Sequence, residues 1–176
     1  MTKLLLTIIL AVTSVMNGLA VADEEAATAY LVLEGQMTGY DIIGLVPEGL
    51  RIDSYASYVV TEGIFVGATM SGTDFLLYRH DGVGVVDIRA FAVDPEGVAA
   101  AVTMKGFLGE PSPGMIEALL DPEFEMPNVD IPLHGAAWFQ TMAPQYAFVN
   151  HTVFGCAGAI NMLEGVLRIT CRSLAE

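Results

Sequence analysis

The chain has 176 residues, 53% of them hydrophobic and 16% charged, with 21 acidic residues against 7 basic ones and a formal net charge of −14. That apolar mass excludes a disordered chain. The one-sided acidity excludes the basic patch a nucleic-acid binder needs, and the length excludes two ordinary domains. What remains is a membrane protein or a dense β protein.

The N-terminus decides part of this. Lys3 supplies a positive start, Leu4 to Val15 an apolar stretch, and Ala20-Val21-Ala22 a small-x-small cleavage site before the polar Asp23-Glu24-Glu25. Together these read as a secretory signal peptide over residues 1–22. The apolar stretch is well short of the roughly 20 residues a spanning helix requires. Removing it leaves 176 − 22 = 154 residues and a charge of 6 − 21 = −15. The expectation is an acidic protein, periplasmic or extracellular, that repels nucleic acid and anionic lipid and has no stable membrane insertion after processing.

Residues 23–176 read as one all-β domain. Short alternating or apolar runs predict strands at Ala29–Met37, Tyr55–Thr61, Ile64–Met70, Phe75–His80, Val83–Val93, Val98–Phe107, Ile131–Met142, Tyr146–Ala157 and Val166–Arg172. Turn signals separate them: Glu62-Gly63, Ser71-Gly72-Thr73-Asp74, His80-Asp81-Gly82 and Asp94-Pro95-Glu96-Gly97. Asp-Gly between apolar runs is a strong hairpin signal, and the spacing of about 8–12 residues points to a sandwich or a barrel built as an antiparallel meander. One short helix is expected at Met115–Leu120, with Ser112 as N-cap and Pro113 opening it. Cys156 and Cys171 flank a predicted hairpin loop at 161–165. An even cysteine count in an oxidising compartment predicts a disulfide between them.

Cofactor and metal chemistry find little support. His80, His134 and His151 lie on three different segments with no metal-ligand spacing. No nucleophile elbow, phosphate-binding loop or dinucleotide fingerprint occurs, so no cofactor and no metal are expected. Two features carry more. Alternation places Val85, Asp87, Arg89 and Phe91 on one strand face, with Arg79 on the preceding strand. They read as a structural ion pair or as a pocket arginine aimed at an anionic ligand group. The second is the run from Trp138 to Asn150, where Tyr146, Phe148 and Asn150 share a predicted face. It reads as plain core or as an apolar cavity with one orienting amide.

In order along the chain, several segments resemble the DUF3237 (UPF0311) family of uncharacterised proteins. They are Ile43-Gly44-Leu45-Val46-Pro47-Glu48-Gly49-Leu50-Arg51, Gly63-Ile64-Phe65-Val66-Gly67 with Ser71-Gly72, and Tyr78-Arg79-His80-Asp81-Gly82 leading into Val86-Asp87-Ile88-Arg89. Tyr146-Ala147-Phe148-Val149-Asn150 with Val153-Phe154-Gly155 completes the set. The family's Pro-Gly-Gly stretch is shortened here to Ser71-Gly72-Thr73-Asp74, and the export signal and cysteine pair mark an exported branch. The resemblance implies a single antiparallel β-barrel, calycin-like or allene-oxide-cyclase-like, of about 8–10 strands. It implies no established activity. On this reading the barrel interior binds a small apolar or aromatic molecule, lined by Arg79, Asp87, Arg89, Trp138, Tyr146 and Asn150. One alternative is a cofactor-free isomerase or cyclase in which Arg89 stabilises an enolate-like oxygen and Asp87 or Tyr146 moves the proton. Another is a solid structural barrel. Small residues at Val98-Ala99-Ala100-Ala101-Val102 would allow packing between copies.

Overall fold

The structure, a computed structural model, describes residues 26–175; the predicted export signal at 1–22 lies outside the described residues. Eight strands follow one another: β1 (Tyr30–Val46), β2 (Gly49–Gly63), β3 (Thr69–Arg79), β4 (Gly84–Val93), β5 (Ala99–Leu108), β6 (Asp130–Thr141), β7 (Val153–Asn161) and β8 (Val166–Ser173). Each pairs antiparallel with the next, and β1 pairs with β8 from Tyr30↔Arg172 to Gln36↔Val166, closing a barrel. The expected all-β antiparallel barrel is therefore the fold. Among the described residues no helix is long and apolar enough to cross a membrane.

Alternation builds the wall. Val86 and Ile88 of β4, Val102 and Met104 of β5 and Phe154 and Cys156 of β7 are buried inside. Their neighbours Asp87, Arg89 and Lys105 carry their charges on the outside. An eight-stranded barrel is just wide enough for such side chains to fill it. One end holds the β2–β3, β4–β5 and β6–β7 connections and is plugged by aromatic rings. Phe65 lies 4.3 Å from Tyr146 and 5.8 Å from Phe139 between ring centroids, and Phe139 meets Phe154 edge-on at 5.2 Å. The other end, the mouth, holds the β1–β2, β3–β4, β5–β6 and β7–β8 connections, and Ile116 of the long β5–β6 connection is buried with the core.

Three local expectations are corrected. The expected strand Ile64–Met70 is strand only at its end, where Thr69 and Met70 open β3; Ile64–Ala68 form the tight β2–β3 connection, in which Phe65 takes a left-handed φ of 60°. The expected turn at Ser71–Asp74 lies inside β3, so nine expected strands become eight. Gly72 misled because its role is close approach rather than turning. A Cβ there would meet the Ala90 Cβ at 2.6 Å and the Arg89 carbonyl oxygen at 2.7 Å. Finally, the first half of the expected strand Tyr146–Ala157 is a 3₁₀ segment, Pro144–His151, which Pro144 opens. Proline's fixed φ and missing N–H suit the start of a helical turn.

The short helix, α1, spans Met115–Leu120 as expected, but its N-cap is Gly114, with no side-chain cap, rather than Ser112. The Ser112 N–H instead donates to the Asp81 carbonyl at 2.8 Å, tying the long β5–β6 connection to the β3–β4 turn. The predicted disulfide is present. Cys156 and Cys171 are direct cross-strand partners on β7 and β8, and both side chains lie in the core. A disulfide is compatible with an exported protein.

Two outcomes follow from this framework. Replacing both Cys156 and Cys171 by Ala lowers unfolding stability by about 3 kcal/mol, the chain-entropy value for so short a loop. Chemical denaturation checks it, and an unchanged midpoint would contradict it. Gly72→Val overpacks the β3–β4 contact and destabilises by about 1–3 kcal/mol in the same assay.

Candidate functional site

The six residues singled out from the sequence do not form the interior lining. Asp87 and Arg89 share a face, as alternation requires, but it is the outer one. The Asp87 carboxylate accepts from Arg89 Nε at 3.0 Å and pairs with Lys105 Nζ at 3.1 Å, while Arg89 Nη1 donates to Thr103 Oγ1 at 3.3 Å. Partial burial alone would raise the Asp87 pKa, but the hydrogen bonds and charges of Lys105 and Arg89 prevail and hold it below the ordinary carboxylate value. Arg79 pairs with Asp81 at the β3–β4 turn. Trp138 projects outward from β6 and is 40% exposed.

Tyr146 belongs to the aromatic plug. Burial, then the charges of Asp94 and Glu96, raise its phenol pKa. Asn150 is exposed and acts as a splint. Its Oδ1 accepts from Thr141 N at 2.9 Å, and its Nδ2 donates to the carbonyls of Thr141 at 3.0 Å and Ala147 at 3.2 Å. For Arg79, Asp87, Arg89 and Trp138 the reason is that period 2 tells which residues share a face, while closure of the barrel decides which face is inside; Tyr146 and Asn150 lie in the 3₁₀ segment and on no strand face.

The interior holds a different polar group. Asp74 sits on β3 between Ser54 of β2 and Ile88 of β4 in cross-strand register. It lines a cavity toward the mouth whose other walls include Tyr58, Leu76, Leu108, Leu133 and Ile169, with Met37 and Met162 among the lining residues. Its free volume is about 30 Å³. That admits about two water molecules and is too small for an aromatic ring unless side chains move.

Asp74 also mends the wall. Between Asp74↔Ile88 and Leu77↔Val85 the β3–β4 ladder has no paired residues, and the Asp87 N–H donates to Asp74 Oδ1 at 2.9 Å instead. Among the described residues no side chain hydrogen-bonds the Asp74 carboxylate. Burial raises its pKa to about 7; the Asp87 N–H and Arg51 act against this, and the charges of Asp87 and Asp53 add to it. The effect spreads to two tyrosines of the same interior. Burial and the Asp74 charge push Tyr78 up to about 12 and raise Tyr58 as well.

A carboxyl that changes charge near neutrality, in an apolar chamber beside a serine hydroxyl, can donate a proton, accept one, or orient a polar ligand group. The sequence carried a signal for it: Met70, Gly72, Asp74, Leu76 and Tyr78 alternate without a break, and the apparent turn at Ser71-Gly72 concealed it. Among the described residues no three His, Cys, Asp or Glu side chains are grouped to hold a metal ion.

Comparison with known proteins bears on the fold. No protein-family profile and no curated protein matches the chain. Solved structures do. A conserved protein of unknown function from Rhodopseudomonas palustris superposes with a TM-score of 0.60 at 17% identity, over 83% of this chain and 93% of that one. A protein of unknown function from Clostridium acetobutylicum gives 0.63 at 19%, over 83% and 96%. A β-barrel-like protein from Acinetobacter baumannii gives 0.58 at 17%, over 83% and 94%. At these identities the likeness is one of fold: the chain shares a closed antiparallel barrel with bacterial proteins of unknown function.

Proposed function

We propose that this protein is an exported barrel that binds a small, largely apolar or aromatic molecule toward the mouth of its interior, and that it represents an exported branch of the DUF3237 family. The observation that carries the binding reading is Asp74. An acid held at a raised pKa costs stability whenever it ionises, and a well-packed apolar residue would not. Such groups concentrate at functional sites. Asp74 and Ser54 are the polar contacts of the proposed ligand, and the apolar wall recognises the rest of it. Because the resting chamber has room for only about two waters, binding requires lining side chains to move. Met37 and Met162 are suited to this, since methionine is unbranched and repacks easily.

The pKa of about 7 favours a second reading, a cofactor-free isomerase. There Asp74 takes a proton from carbon beside a carbonyl and returns it to another carbon of the same molecule, with no net redox change.

The pH dependence of stability tests the group itself. Asp74 has a folded pKa above its unfolded value, so the folded state binds the extra proton. The stability this group contributes is full below about pH 4, is lost as pH rises from about 4 to 7, and is level above that. The span is on the order of 4 kcal/mol. Asp74→Asn keeps an acceptor for the Asp87 N–H and removes this slope. At pH 8 the variant is more stable than the parent, and equal slopes in the two proteins would contradict the assignment.

Ligand binding is tested by a thermal-shift screen of small aromatic and aliphatic carbonyl compounds on the protein from Asp23 onward, with hits confirmed by native mass spectrometry. Hits bind the parent and lose about tenfold or more in affinity with Asp74→Asn. A screen with no hits, or one whose hits are all indifferent to that change, would contradict binding in the interior. A hit that is turned over with a rate rising through pH 7, and not by Asp74→Asn, would select the isomerase.

A further inference from the structure

We propose that the outer wall of the barrel carries a second and separate binding site, a groove between β4 and β6 that takes a small aromatic carboxylate. It arises from side-chain size across three neighbouring strands. Arg89, Thr103 and Trp138 form one cross-strand row, and Phe91, Ala101 and Gln140 form the next. In both rows a short residue on β5 stands between long ones on β4 and β6, which leaves a trough along β5. The 3₁₀ segment closes one end with Asn150 and His151. The trough encloses about 450 Å³, within the range of small-molecule sites.

Its chemistry is selective. Strands are spaced about 4.8 Å apart, so Arg89 and Trp138 stand roughly 10 Å apart across Thr103. That separation suits a ligand with a flat ring at one end and a charged group at the other. Trp138, the single tryptophan of the chain, offers its indole as the stacking surface. Arginine has five N–H donors in a planar fork. Two are used, on Asp87 and Thr103, leaving three for a carboxylate.

Among the described residues neither the Trp138 ring nitrogen, the Gln140 amide nor the His151 ring makes a hydrogen bond within the protein, so polar groups are free at the trough. No acidic residue lines it, although 21 of the 176 residues are acidic. The nearby Asp87 is neutralised by two cations, Arg89 and Lys105. In a chain of net charge −14, this is a place where a small anion meets a cation with little local repulsion. Asn150 is not counted as a ligand contact, since its amide is consumed by Thr141 and Ala147.

Trp138 reports on the site directly. Intrinsic fluorescence is followed while phenylacetate is added to the intact protein at low salt, with acetate and phenylacetamide as probes lacking the ring and the charge. Phenylacetate gives a saturable change with Kd near about 1 mM, weakened by added salt; acetate and phenylacetamide give about tenfold weaker changes or none. Arg89→Gln weakens phenylacetate about tenfold, and Ala101→Leu, which fills the exposed floor of the trough, abolishes it. Both variants retain the parental thermal midpoint. Asp74→Asn leaves the titration unchanged, which separates this site from the interior one. The proposal is overturned by no saturable change, by equal responses to phenylacetate and phenylacetamide, or by an Arg89→Gln titration like the parent's. It is also overturned if the fluorescence shifts with protein concentration alone, since the groove would then be covered by a second copy of the chain.

Discussion

Closure between β1 and β8 is the constraint on which the rest of the molecule depends. Once Tyr30 to Gln36 pair with Val166 to Arg172, the sheet from β1 to β8 is divided into an inside and an outside. The interior is narrow enough that every inward side chain must be accommodated by its neighbours. Leucines, valines, methionines and rings meet that demand at nearly every inward position. The core disulfide holds the last two strands in the register that closure needs. Closure also makes Asp74 an exception, because its inward carboxylate lies among apolar neighbours and is largely, but not fully, withdrawn from solvent.

The fold was legible in the sequence to the extent that it rests on local signals. Asp-Gly at 81–82 and the Asp94–Gly97 turn mark real hairpins, and the runs at Val83–Val93 and Val98–Phe107 match β4 and β5 almost to the residue. Misreadings occurred where one residue type serves two purposes. Gly72 has the look of a turn residue, but it is glycine because Ala90 and the Arg89 carbonyl press against it. Tyr146 to His151 have the apolar content of a strand. Pro144 and the need to cross the plugged end make them helical.

The site was less legible. The periodicity around Asp87 and Arg89 established a shared face and said nothing of inside or outside, which only closure settles. Of the six residues expected to line one interior pocket, Arg89, Trp138 and Asn150 line a groove on the outer wall, and Arg79, Asp87 and Tyr146 do not line it. Asp74 stands at the end of an apparent turn, which hides the alternation from Met70 to Tyr78 that runs through it. The outer pair Asp87–Arg89 and the inner Asp74 are nonetheless linked, since the Asp87 N–H donates to Asp74. One strand position thus supplies a charge to the outer surface and a hydrogen bond to the inner carboxylate.

The account turns on whether the interior carboxyl is held near neutrality. Carbon-13 NMR of the aspartate side-chain carboxyls, assigned by comparison with Asp74→Asn and followed from pH 3 to pH 9, observes that group itself. The account predicts that the Asp74 resonance titrates with a midpoint near 7, while Asp87 titrates below the ordinary aspartate value. An Asp74 midpoint near about 4, like an exposed aspartate, would contradict it.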